Sequence, residues 1–250
     1  MTGAVLVGAD LTGATLRGAR LDRADLSEAK LQDTDFFGVA GEGVTFTKVD
    51  LRGVKLAGAS LPKGKFLDVD ATGVDFSGAD LGAATFQGAK VARAIFRGAK
   101  LHKLRAVQGS VFDGADFLGA KLGRANLRSL SLVGCDFSGA EMDHADLSEC
   151  DLQEANLYRA VARGARFMKA DLRRANLTAA NLMRTLMGRA NLRGANLTGA
   201  NLFRADLCRA EVDRGTITKD ANLTQIRFVE SQKRDGEPTG GLRRGLLEPG

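Results

Sequence analysis

The sequence predicts an all-β solenoid whose chain turns a corner once in every five residues. Three observations carry this. A Leu or Phe recurs at five-residue spacing: from Leu6 to Leu101 it fills 17 of 20 central places, the exceptions being Gly41, Ala71 and Val91. From Phe112 to Ile217 it fills 17 of 22. The residue two places earlier is small, with 12 Ala and six Val in the first stretch and 16 Ala in the second. The composition is that of a repeat, with 31 Gly, three Pro, one Tyr and no Trp in 250 residues.

A period of five belongs to neither regular element. A helix would need apolar spacing near 3.6, so a beat of five would walk the apolar residues around all its sides. A flat strand alternates with period two, and an odd period would turn every second centre to the other face. Both conflicts vanish when each unit is a short extended segment followed by a turn. The central and small residues, two apart, then point inward, and the other three point out or make the corner. Gly8, Gly13, Gly18, Gly194 and Gly199 stand where such a corner falls, because glycine accepts backbone angles that other residues resist.

The cleanest run, Arg189 to Leu207, reads RANLRGANLTGANLFRADL. Its beat of Ala, Asn or Asp, then Leu resembles the A(D/N)LXX pattern of the pentapeptide-repeat family, over about residues 4 to 217. The resemblance implies a right-handed quadrilateral β-helix of about ten coils of about 20 residues, roughly 50 Å long at about 4.8 Å per coil.

Residues 1–101 make a first sub-rod. In a 20-residue register Phe46, Phe66 and Phe86 share one column, and Phe36, Phe76 and Phe96 another. Residues 102–111, HKLRAVQGSV, hold one extra residue and shift the phase, which a bulge or wider corner absorbs. Residues 112–217 make a second sub-rod. Residues 218–230 are expected to cap the rod, since terminal coils otherwise leave core and strand edge open. The tail, residues 231–250, is rich in Gly and charge and is expected to be disordered. Repeats begin at Ala4 with no capping element before them, so an end-to-end homodimer through the amino-terminal coil is expected.

The second sub-rod segregates its charge. An acidic band holds Asp136, Glu141, Asp143, Asp146, Glu149, Asp151 and Glu154. A basic band follows, and its candidate interaction ridge is Arg163, Lys169, Arg173, Arg184, Arg189, Arg193, Arg204 and Arg209. Lys169, Arg189 and Arg209 align on one corner, Arg184 and Arg204 on the preceding one, and Arg173 and Arg193 on the following face. Like charges stacked at strand spacing repel, so they serve as a ridge for anionic groups or as plain solvated corners. Asn156, Asn176 and Asn196 form a row whose amides can bond up a ladder.

No reactive constellation accompanies this surface. His102 and His144 have no partners at metal-ligand spacing, so no metal is expected. Cys135 and Cys150 fall on the small inward place, and Cys208 points out beside Arg209; three cysteines without regular spacing suit a reducing compartment. The Gly residues follow the beat rather than a nucleotide-binding motif, so no cofactor is expected. The acidic residues hold the Asp/Asn place, so their spacing gives no catalytic pair. No 18-residue apolar run or secretory signal is read, and a cytoplasmic location is expected.

The expectation is therefore a non-catalytic rigid scaffold for another protein, one with an acidic surface. Net charge is only +6, and few outward aromatics accompany the basic band, so nucleic acid is not the expected partner. Two alternatives follow from the resemblance. One is a DNA-mimic-like modulator of a type II topoisomerase (gyrase) that gives quinolone or toxin resistance. The other is an accessory protein of a bacterial secretion or signalling complex.

Overall fold

The computed structural model describes residues 2–107 and 109–229. Its repeating act is the corner. The carbonyl of most central residues accepts the amide three places on, as in Ala9 N–H to Leu6 O (3.1 Å) and Ala24 N–H to Leu21 O (2.9 Å); the corners after Phe46, Phe66 and Phe86 lack this bond. The second residue inside the turn has positive φ, 65° at Gly8 and 66° at Gly13, the geometry of a type II turn. The Asp or Asn before the centre locks it. Its Oδ1 accepts the N–H of the first turn residue, from Thr12 to Asp10 (3.1 Å), Ser77 to Asp75 (2.8 Å) and Thr198 to Asn196 (3.0 Å). That amide has no backbone acceptor in the ladder, which explains why the repeat keeps a short polar acceptor at this place.

Between corners three residues run extended, and successive coils join through parallel backbone bonds. Leu6 N–H donates to Asp25 O (2.7 Å), Asp25 N–H to Ala4 O (2.9 Å) and Gly8 N–H to Ser27 O (2.8 Å). Four ladders result, one per side of a quadrilateral β-helix. The first face stacks Val5, Asp25 and Thr45 and ends on Arg166, Leu186, Asp206 and Arg227. The second starts at Asp10, the third at Thr15 and the fourth at Arg20. On the first face the extended stretches lengthen into a parallel sheet, β1 (Thr45–Thr47), β2 (Lys65–Leu67), β3 (Thr85–Gln87) and β4 (Arg105–Val107), in that order.

The ladders pass through two slips. Thr85 pairs with Arg105, but Lys90 pairs with Val111, so the extra residue falls between β4 and Val111. Ser110, almost fully buried, accepts Ala89 N–H (3.2 Å) and donates to Val107 O (2.9 Å), holding the widened corner closed. The second slip corrects the reading of Ile217 as a centre. Asn191 pairs with Glu211 but Asn196 with Ile217, so the extra residue precedes Ile217. Ile217 therefore sits on the outward place of the third face and is 48% exposed. Asp213 builds this corner by accepting Gly194 N–H (2.9 Å) and Gly215 N–H (2.9 Å). The units at 221–229 continue in the new phase, with Ala221, Leu223, Ile226 and Phe228 half-buried against the core. Residues 231–250, expected to be disordered, lie outside the described residues.

The core is one continuous cluster of central and small side chains. Two phenylalanine columns stand on opposite sides of it. On the first face Phe46, Phe66 and Phe86 stack with centroids 5.1 and 4.5 Å apart. On the third face Phe76 and Phe96 stack at 4.9 Å, and the column continues across the first slip through Phe117 (5.0 Å) and Phe137 (4.7 Å). Leu56 separates Phe36 from that column. The two columns meet edge-to-face, Phe66 to Phe76 at 6.1 Å and Phe76 to Phe86 at 6.3 Å, so each ring offers its positive rim to a neighbour's face. Two glycines make room for neighbouring groups. A Cβ on Gly41 would lie 2.7 Å from Val44 and 2.9 Å from the Leu21 carbonyl carbon, and one on Gly64 would lie 3.1 Å from the Phe66 ring. Where a small place holds a polar residue, it donates to a backbone carbonyl: Thr34 to Leu11 O (2.8 Å), Thr185 to Leu182 O (2.8 Å) and Cys135 to Phe112 O (3.1 Å).

Phe66 touches both columns, so Phe66→Ala should cost about 3–5 kcal/mol in denaturant unfolding. Phe36, outside the stack, should cost less on the same substitution.

Candidate protein-binding face

The charged residues of the second half divide among faces in a way their order along the chain conceals. The seven acidic residues encircle the rod. Asp146 lies on the first face, Asp151 on the second, Asp136 on the third and Glu141 on the fourth. Glu149 and Glu154 occupy turn places after the first and second faces, and Asp143 lies in the corner leading to the first. Three of the seven are answered by cations of the next coil. Asp143 pairs with Arg163, Glu149 with Lys169 (3.5 Å) and Glu154 with Arg174 (2.8 Å). Glu149 also accepts Arg128 (2.9 Å), and that bond above all holds its carboxyl below the usual range.

The eight basic residues form two groups. Arg173 and Arg193 lie in the corner after the second face and are answered by Asp171 (2.6 Å) and Glu211 (3.6 Å). The other six border the first face. Arg163, Arg184 and Arg204 line the corner that enters it, and Lys169, Arg189 and Arg209 the corner that leaves it. Among the described residues, Arg184, Arg189 and Arg209 have no carboxylate within ion-pair distance. Arg204 bonds Gln225 Oε1 (2.6 Å) and lies over the Phe203 ring at 5.0 Å.

Two further residues belong to this surface. Arg166 and Leu186 occupy the Asp/Asn place of the first face, a departure readable in the sequence only once the 20-residue register assigns them to one side. Arg166 likewise has no carboxylate partner among the described residues. Leu186 is 38% exposed, as is Met168 in the neighbouring corner. The only acid in this face's ladder above residue 160, among the described residues, is Asp206, and it is engaged by Arg227 (3.4 Å) and by Cys208 N–H (3.0 Å). The opposite, third face is neutral in the same coils. There Asn176 donates to Asn156 (2.9 Å), and Thr198 donates to Asn196 (2.6 Å). Among the described residues of these coils, unpaired cations thus concentrate at the corners of the first face, while Arg159, Arg214 and Lys219 stand singly elsewhere around the rod.

Its placement carries a cost. Arg184, Arg189, Arg204 and Arg209 have φ of 56°, 59°, 58° and 60°, at the turn place that glycine fills at Gly194 and Gly199. An L residue is strained in this left-handed region. Stacked cations repel as well, so these side chains detract from stability twice over.

The remaining titratable groups offer no nucleophile. Burial pushes the Cys135 and Cys150 thiols up to about 12. Cys208 is raised too, chiefly by its hydrogen bond with Asp206, despite Arg209 beside it. No group of His, Cys, Asp and Glu among the described residues could hold a metal ion. No helix among them is long and apolar enough to cross a membrane.

A family profile for pentapeptide repeats matches eight copies, together spanning residues 1–39, 42–103 and 120–213. No curated protein sequence matches the chain. Among solved structures, two trypsin-treated point variants of QnrB1, a plasmid-mediated fluoroquinolone resistance protein, are similar. One gives TM-score 0.56 and 18% identity, over 75% of this chain and 92% of that one. The other gives TM-score 0.52 and 17% identity, over 75% and 91%. HetL, from the cyanobacterium Nostoc sp. strain PCC 7120 and involved in heterocyst differentiation regulation, is 28% identical over 90% of each chain, with TM-score 0.33.

If the left-handed arginines are held against backbone preference, Arg184→Gly and Arg189→Gly should each leave the rod unchanged in shape and raise its stability by up to about 1 kcal/mol. Denaturant midpoints at matched slope would measure this, and a fall in stability would show that the arginines support the fold.

Proposed function

The chain belongs to the pentapeptide-repeat family, and on that premise we propose that it is a non-catalytic, rigid scaffold that holds an acidic protein surface along the carboxy-terminal half of its first face. One observation carries the reading: among the described residues Arg184, Arg189 and Arg209 lack acidic partners, and they line the two corners of a single face. A rigid ladder holds these cations in fixed rows, so little order remains to be imposed when a partner docks. End-to-end pairing of two copies through the amino-terminal coil fits the same picture. Leu6, Leu11 and Leu16 are only partly buried there, whereas the next coil's Leu26, Leu31 and Phe36 are fully covered. A place in a secretion or signalling complex is one setting for such a scaffold.

A second reading, modulation of a type II topoisomerase by a rod that imitates DNA, draws on the family resemblance and on the fold shared with QnrB1. The charge of the first face opposes it, since a duplex mimic needs carboxylates where this face carries arginine. A gyrase supercoiling assay separates the two: the scaffold reading expects no change in supercoiling or in drug-induced cleavage at excess protein.

The scaffold reading is tested by capture on the immobilised chain from a lysate of the source organism, followed by mass spectrometry. The quadruple variant Arg184→Glu, Arg189→Glu, Arg204→Glu, Arg209→Glu should lose acidic proteins that the unchanged chain retains. An identical captured set from both would contradict the proposal.

A further inference from the structure

The first face is more than a cationic strip, because one of its outward places is apolar. Leu186 stands where its ladder otherwise places polar or charged residues in the adjoining coils, Arg166 before it and Asp206 after it. Its side chain points out at 38% exposure, and Met168 adds a second apolar contact at 38%. Arg184 flanks Leu186 on one corner and Arg189 on the other, and neither is neutralised by a carboxylate among the described residues. One exposed leucine, with Met168 in the adjoining corner, edged by two rows of cationic side chains is a composite surface, and each part excludes some partners.

The geometry points to an acidic amphipathic α-helix of a partner protein, lying along the rod axis, as the occupant. This deepens the scaffold reading above and rests on it. The spacing decides the form of the ligand. Arginine rows repeat at the coil rise, about 4.8 Å. A helix advances about 5.4 Å per turn, and its residues at i, i+3 and i+4 share a side. Carboxylates on successive turns therefore keep near register with successive arginines over two or three coils. A β-strand laid along the axis offers same-side residues about 6.6–6.8 Å apart and drifts out of register within two coils. The chemistry decides the rest. A helix with an apolar stripe covers Leu186 and Met168 while glutamates on both flanks reach Arg184, Arg204 and the row Lys169, Arg189, Arg209. Duplex DNA would satisfy the arginines and leave Leu186 against a charged, hydrated backbone.

The planar guanidinium also suits this role, since it pairs carboxylate in a two-point fashion. Arg166, on the face itself below Leu186, supplies a further contact at one end of the helix. The neutral third face, with its Asn156–Asn176 bond already made, offers no comparable opportunity.

The test uses the full chain and a synthetic helical peptide of about four turns, with leucines on one stripe and glutamates on both flanks. Controls are the same residues in scrambled order and a duplex DNA of about 20 base pairs. The designed peptide should bind, with affinity falling as salt rises. Arg184→Glu with Arg189→Glu should weaken it by at least about tenfold, and Leu186→Gln by a few-fold, each variant retaining its β-sheet circular dichroism and melting transition. Arg173→Glu with Arg193→Glu, on a different corner, should leave binding unchanged. Equal binding of peptide, scrambled peptide and DNA would overturn the helix assignment while leaving the scaffold reading standing. Equal loss in the Arg173 and Arg193 variant would overturn the choice of face. Absence of peptide binding would overturn the inference outright. The scaffold reading itself fails only in the capture experiment, where the partner need not be helical.

Discussion

The type II corner is the constraint on which everything else depends. A central carbonyl must receive the amide three residues on, one turn residue must take positive φ, and one short side chain must accept the leftover amide. These demands repeat every five residues, so they fix the period, the inward places and the parallel ladder together. They also explain why glycine recurs at the left-handed place and aspartate or asparagine just before the centre. Where glycine is absent from the left-handed place, the backbone remains in that conformation, as at Arg184 (φ 56°) and Arg189 (φ 59°). The ladder and the core together impose the angle against the residue's own preference.

The core is selected by the same geometry. A small residue must face inward beside each centre, or the four sides could not close around one cluster. Valine at Val44 is accepted where Gly41 gives back the space, and Gly64 yields to the Phe66 ring. Phenylalanine stacks because coils rise at nearly the distance that offset rings prefer, 4.5 to 5.1 Å between centroids here. The stack crosses the first slip from Phe96 to Phe117 without interruption, so an added residue disturbs the corner and spares the interior.

Much of this was legible in the sequence. The beat of five places Leu and Phe inward, the Ala positions beside them, and Cys135 and Cys150 among the buried small residues, because steric demand acts on each unit separately. The first slip shows in the spacing from Leu101 to Phe112. The second shows in the unit at 221–225, out of phase by one, but its place is misread, because isoleucine at 217 mimics a centre although the extra residue precedes it. Charge was legible as bands along the chain and, through the 20-residue register, as rows on particular corners, but not as ion pairs. Part of the acidic band is cancelled because ion pairs form between residues about one coil apart, such as Glu154 with Arg174. The basic band proves one-sided because Arg173 and Arg193 turn to another corner and find acids there. Leu186 and Arg166 escape notice in one dimension, since a single departure from Asp or Asn means little until the fold brings two of them together.

The central claim is that one side of the rod, and not its whole circumference, engages an acidic partner. Arginine-selective chemical labelling of the chain, free and in complex with a captured acidic protein, reads each guanidinium separately by mass spectrometry. The account predicts that Arg184, Arg189 and Arg209 become protected in the complex while Arg173 and Arg193 label as before. Protection of Arg173 and Arg193, with the first-face arginines still reactive, would contradict it.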